Sequence, residues 1–89
     1  MHKSKKLIQK VAQEYVQELL RRFPGIEAEI LFESVGGSDA YIEITLPPRL
    51  ANLDLEVLHA TSELNYRYWE ETGVNLIATV GVKEAVSNG

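Results

Sequence analysis

The chain has no cysteine, so neither a disulfide nor a thiolate-bound metal is available to brace a small core, and side-chain packing or a partner subunit must do that work. Long apolar runs are missing too. Nothing approaches the roughly 18 to 20 residues that span a bilayer, and the lysine-rich start leads into an amphipathic stretch rather than the apolar centre of a signal peptide. Membrane insertion is therefore not expected, and a cytoplasmic setting is. Basic residues are in the minority, with nine Lys and Arg against thirteen Asp and Glu, a net charge of -4. Such a balance opposes non-specific attraction to nucleic acid or to anionic membranes. Internal repeats and low-complexity linkers are absent.

What remains is an ordinary globular composition, 45% hydrophobic and 25% charged over 89 residues, well away from the regime of disordered chains. That length allows one domain and not two. The expected ordered core covers about residues 4 to 83, with 84 to 89 as a frayed tail.

Ser4 is placed to cap a helix in which Leu7, Ile8, Val11, Ala12, Tyr15, Val16, Leu19, Leu20 and Phe23 hold one face. Pro24-Gly25 ends it near Phe23. From Ile26 the period shortens to two. Ile26, Ala28, Ile30 and Phe32 alternate with Glu27, Glu29 and Glu33, which is the pattern of a half-buried strand. A tight connection at Gly36-Gly37 leads to a second strand carrying Ala40, Ile42, Ile44 and Leu46, stopped by Pro47-Pro48. Asn52 or Asp54 then caps a second helix ending near Thr72, with Gly73 as the left-handed residue after it. A third strand follows from Val74 to Val82. The order α-β-β-α-β predicts an α+β, two-layer sandwich: a three-stranded mixed sheet, strands two and three parallel, with both helices on one face.

The second helix carries more apolar surface than one sheet contact needs. Leu53, Val57, Ala60, Thr61, Leu64 and Tyr68 form the stripe expected against the sheet. Leu55, Leu58, Ser62, Tyr66 and Trp69 form a second stripe about 140° away at helical spacing, and leave Glu56, His59, Glu63, Arg67 and Glu70 a narrow charged arc. Two readings are open. Either the first helix covers that stripe within the chain, or Leu55, Leu58, Tyr66 and Trp69 are the interface of a homodimer.

Chemistry is sparsely represented. The two histidines are His2, near the start, and His59, and no nucleophile, base and orienting group can be assembled around either. His59 lies between Glu56 and Glu63 on one helical face, a spacing that suits a surface ion pair. Glu29 and Glu43 are placed to face one another across the hairpin, where solvated strand carboxylates are far commoner than an acid/base pair. Gly36-Gly37 lacks the following helix and the GKS or GxGxxG context of a phosphate loop. An enzyme is not expected. Lys3, Lys5, Lys6 and Lys10 supply a short basic end that would suit an RNA backbone, against which stand the acidic strands and the lack of an aromatic RNA-binding pair.

The succession of a helix, Phe23-Pro24-Gly25-Ile26, a strand, Gly36-Gly37, Tyr41-Ile42-Glu43-Ile44, a helix bearing His59, and Thr72-Gly73-Val74 before a strand resembles the cytosolic C-terminal domain of cation diffusion facilitator transporters. The likeness covers about residues 7 to 82. It implies a metallochaperone-like, ferredoxin-like αββαβ fold, a dimer, and in many members a zinc-type divalent metal at the dimer interface. His59 stands where that family often places a histidine ligand, with Glu29 and Thr45 at strand positions where histidine is usual. With no membrane half to carry transport, the resemblance implies a freestanding regulatory or scaffold module. Function is thus expected to be that of a self-associating interaction module, with a metal-binding regulatory domain and an RNA-binding module as alternatives.

Overall fold

A computed structural model describes residues 4–32 and 37–84. The elements run α1 (Lys5–Arg22), β1 (Glu27–Leu31), β2 (Ala40–Leu46), a 3-10 helix (Pro48–Leu53), α2 (Asp54–Thr72) and β3 (Leu76–Val82). The expected order and fold class are those observed. β2 is central, antiparallel to β1 and parallel to β3, with Ile30 opposite Ile42 and Ile42 opposite Ala78.

α1 begins as its sequence dictates. The Ser4 hydroxyl accepts from the Leu7 N–H at 3.1 Å, satisfying one of the donors a helix start leaves free. Val11, Ala12, Tyr15 and Leu19 are buried against the sheet, while Leu20 lies at the margin of the stripe and stays exposed. Arg21 and Arg22 close the last turn, where cations suit the helix dipole.

β2 is the most deeply buried strand, because Ala40, Ile42, Ile44 and Leu46 all face the helices and all lie at or below 1% exposure. The alternate residues Tyr41, Glu43 and Thr45 point to the other face, which no described element covers. Its two ends are tied to β3. The Asp39 N–H donates to the Asn75 carbonyl and the Asp39 carboxylate accepts from the Asn75 N–H, both at 2.8 Å, while Lys83 N–H donates to the Leu46 carbonyl at 2.8 Å.

α2 enters differently from the expectation. Neither Asn52 nor Asp54 caps it: Pro48 opens a 3-10 turn that runs directly into the helix, and Leu53 holds the cap position with no side-chain bond. Asp54 is the first helical residue and its carboxylate accepts from the Leu55 N–H at 2.8 Å, a favourable place for negative charge. At the other end Gly73 adopts φ 77° as expected and its N–H reaches the Trp69 carbonyl at 2.9 Å. The strands are shorter than the alternation suggested, since Ile26 and Val74, though buried, precede their ladders. In the connection between β1 and β2, Gly37 has the expected positive φ, 81°, and Gly36 lies outside the described residues, as do Glu33, His2, Lys3 and the tail from 85.

The helices meet through a mixed contact. Tyr15 and Tyr68 rings lie 6.1 Å apart and tilted by 46°, and the buried Tyr15 hydroxyl donates to the Thr61 carbonyl at 3.3 Å. Above them Arg67 donates to Glu18 at 2.6 Å and sits 5.0 Å from the Tyr68 ring centroid. Arg22 lies within 3.8 Å of Glu18 and 3.9 Å of Glu63. These exposed pairs add little energy each but fix which flank of α2 faces α1.

Two outcomes follow. Gly25 has φ 98°, and a Cβ there would stand 2.8 Å from Arg49 Nη2 and 3.3 Å from Leu50 Cδ1, so Gly25→Ala is expected to cost about 1–2 kcal/mol in a urea titration. Burial pushes the Tyr15 phenol well above its ordinary value, only partly offset by its bond to Thr61. The folded state therefore resists ionisation that the unfolded chain undergoes above pH ~10. Stability is intact below that pH and falls as pH rises beyond it, and Tyr15→Phe should flatten this alkaline decline in melting temperature.

Candidate functional site

With α1 held on the Glu63 and Arg67 flank, the opposite flank of α2 is left without a neighbour among the described residues. Leu55, Leu58, Tyr66 and Trp69 are 66, 46, 62 and 55% exposed. The reading in which the first helix covers this stripe is therefore overturned. α1 lies along β1 and β2, and the Tyr15–Tyr68 and Glu18–Arg67 contacts, rather than an apolar seam through Trp69, join it to α2.

The stripe is ordered by its own helix. Thr61 and Ser62 hydroxyls both donate to the Leu58 carbonyl, at 2.7 and 3.2 Å, and the Tyr66 hydroxyl donates to Glu70 at 2.7 Å. That last bond, with a smaller contribution from burial, raises the pKa of the Tyr66 phenol. Asn65, at the boundary between this stripe and the sheet-facing one, has a buried Oδ1 with no hydrogen-bond partner. Such an atom is costly to leave unmatched. Four large apolar side chains within four turns form a surface suited to burial against another protein.

The residues considered for metal are not brought together. His59 is exposed on α2, whereas Glu29 sits on the far face of the sheet, opposite Glu43 in the register and on the side away from both helices. The sheet itself separates them, so within one chain His59 and Glu29 share no site. Among the described residues no group of three or more His, Cys, Asp or Glu is positioned to hold a metal ion. Thr45, on the same far face, is half-buried beside Glu27.

That far face mixes characters. Leu31, Tyr41 and Ile77 form one half-buried apolar row across all three strands, Glu29, Glu43 and Thr79 the next, and the Tyr41 and Thr79 hydroxyls are 2.7 Å apart. Lys5, Lys6 and Lys10 are exposed on the first two turns of α1, and Lys3 lies outside the described residues. A cleft of about 390 Å³ is lined by Lys5, Ile8, Gln9, Phe32 and Asp39. Among these described residues there is no nucleophile paired with a base, and the Asp39 carboxylate is engaged by Asn75. The Asp39 clamp was not foreseen from the sequence, although an Asp just after glycines is a recognisable turn residue. Among the described residues no helix is long and apolar enough to cross a membrane.

The exposed stripe and the buried one make different demands on stability. In dilute protein, Trp69→Ser should leave the urea midpoint nearly unchanged, as expected of a surface substitution. Leu64→Ala, at a fully buried position, should lower stability by roughly 2–5 kcal/mol.

Comparison with family models, with curated proteins and with solved structures gives no match to this chain. The functional reading therefore rests on the surface this chain presents.

Proposed function

We propose that this protein is a small non-enzymatic interaction module that acts as a homodimer, joined through the outer flank of α2. The observation that carries this reading is the exposure of Leu55, Leu58, Tyr66 and Trp69 on the flank that α1 leaves open. Aromatic residues are enriched at interface centres, and a two-fold axis lets one patch pack against its own copy. A second copy is favoured over a charged ligand because the patch itself holds no ionised side chain, its neighbouring carboxylates lying beyond it at Glu56, Glu63 and Glu70. Among the described residues, the exposed lysines of α1 and His59 supply no comparable convergence of groups for RNA or for zinc. Those readings therefore rank below self-association.

Sedimentation velocity across a micromolar series should give a concentration-dependent shift from about 10 kDa toward twice that mass. Trp69→Ala should move the midpoint to at least tenfold higher concentration, the loss of one interface anchor of about 1.4 kcal/mol or more. Because Trp69 is the only tryptophan, its quenching by iodide should weaken over the same concentration range. A chain that stays monomeric with Trp69 equally quenchable throughout would sink the proposal.

A further inference from the structure

β3 is an edge strand: β2 pairs with one side of it, and no described strand pairs with the other. Edge strands are normally protected by charged residues, by proline or by a bulge. β1, the other edge, follows the rule, with Glu27 and Glu29 exposed along it. β3 does not. Its seven residues, Leu76 to Val82, contain no charge and no proline, and their register with β2 runs unbroken from one end to the other.

The bonds at its two ends fix which way its backbone points. The Asn75 N–H and carbonyl and the Lys83 N–H are all directed at the β2 side. Since backbone groups alternate sides along a strand, Ile77, Thr79 and Gly81 also bond toward β2. Ala78, Val80 and Val82 consequently present their N–H and carbonyl groups to the open edge, whereas Leu76, where the strand begins, is buried. The exposed stripe of α2 lies on this same side of the molecule, because α1 occupies the other flank and α2 packs over β3. An unprotected edge and an uncovered helix flank are therefore one continuous surface.

We infer that β3 pairs antiparallel with β3 of a second copy, centred on Thr79, so that two three-stranded sheets join into one of six strands with the two α2 helices side by side above the seam. This rests on the proposal of self-association and specifies its geometry. Centring on Thr79 sets Ala78 against the partner's Val80 as a hydrogen-bonded pair, and sets Thr79 against the partner's Thr79 as a close non-bonded pair. No like charges meet along the seam. Antiparallel α2 helices set Leu58 against the partner's Trp69, so that each apolar anchor meets one on the other copy. Leu55, Leu58, Tyr66, Trp69 and Val82 together expose roughly 500 Å² per protomer, taking about 150–250 Å² for a large side chain. With the strand edge added, this approaches the ~800 Å² per partner typical of a stable complex.

The absence of cysteine makes the register directly testable. Thr79→Cys and Ile77→Cys are oxidised at a concentration where the wild type is dimeric by sedimentation, and covalent dimer is read on a non-reducing gel. Both positions lie on the face away from the helices, but only residue 79 meets its own copy at the axis. The expected result is a covalent dimer for most of the Thr79→Cys chains and at least fivefold less for Ile77→Cys, while Ile77→Cys/Gly81→Cys, which sets one cysteine against the other across the axis, cross-links again. A dimeric wild type in which Thr79→Cys cross-links no better than Ile77→Cys would overturn strand pairing while leaving association through α2 intact. A monomeric wild type would overturn both.

Discussion

The width of the sheet governs this molecule. Three strands at about 4.8 Å spacing offer a floor roughly 14 Å wide. Two helices, each about 10 Å across with side chains, need roughly 20 Å. Both helices lie on one face, so their outer flanks must project past the floor. On the β1 side the overhang is small, leaving Leu20 and Phe32 at the margin; on the β3 side it leaves Leu55, Leu58, Tyr66 and Trp69. The exposed stripe is thus a consequence of topology, and its apolar character is the choice the sequence makes about that consequence. A solitary monomer would be expected to fill the flank with Lys and Glu.

The direction of the mismatch is set by a few polar contacts. Glu18, only 17% exposed at its side chain, gathers Arg21, Arg22 and Arg67, and Arg67 in turn lies over the Tyr68 ring. Each of these pairs is worth little in energy by itself. Together they select one of the two ways α2 can present its apolar faces, with Tyr68 inward and Trp69 outward. Tyr15 reinforces the choice, because its buried hydroxyl finds the Thr61 carbonyl only when that side of α2 faces the core.

Periodicity made most of this fold legible. The two-residue alternation of β2 and the single face of α1 name nearly every core residue, and the division of α2 into two stripes names the exposed ones. What periodicity does not contain is the rotation of one helix relative to its neighbour, so covering by α1 and covering by a partner look alike until Glu18 meets Arg67 in space. The entry to α2 was hidden for a different reason. Asn52 and Asp54 both have the chemistry of a cap, but Pro48 starts a 3-10 turn that carries the backbone into the helix without one. The His59 and Glu29 implied by family resemblance are kept apart within one chain by layering: a helix residue facing solvent and a strand residue on the bare face are separated by the sheet.

The bare face bears on what a joined sheet would do. A six-stranded sheet has β1 at both ends, and β1 is the strand with glutamates along it, so pairing through β3 consumes the unprotected edge and leaves only protected ones. Growth would therefore stop at two copies rather than continue as a filament. The same step would double the exposed area carrying Glu27, Glu29 and Glu43 around the Leu31, Tyr41 and Ile77 row, and turn two small patches into one acidic, partly apolar platform with two-fold symmetry. Acidic carboxylates directly opposite one another, as Glu29 and Glu43 are, destabilise the strand pair that holds them. In a joined sheet those opposed carboxylates would all lie on the broad face that no described helix covers, which is the physical source of the platform's acidic character.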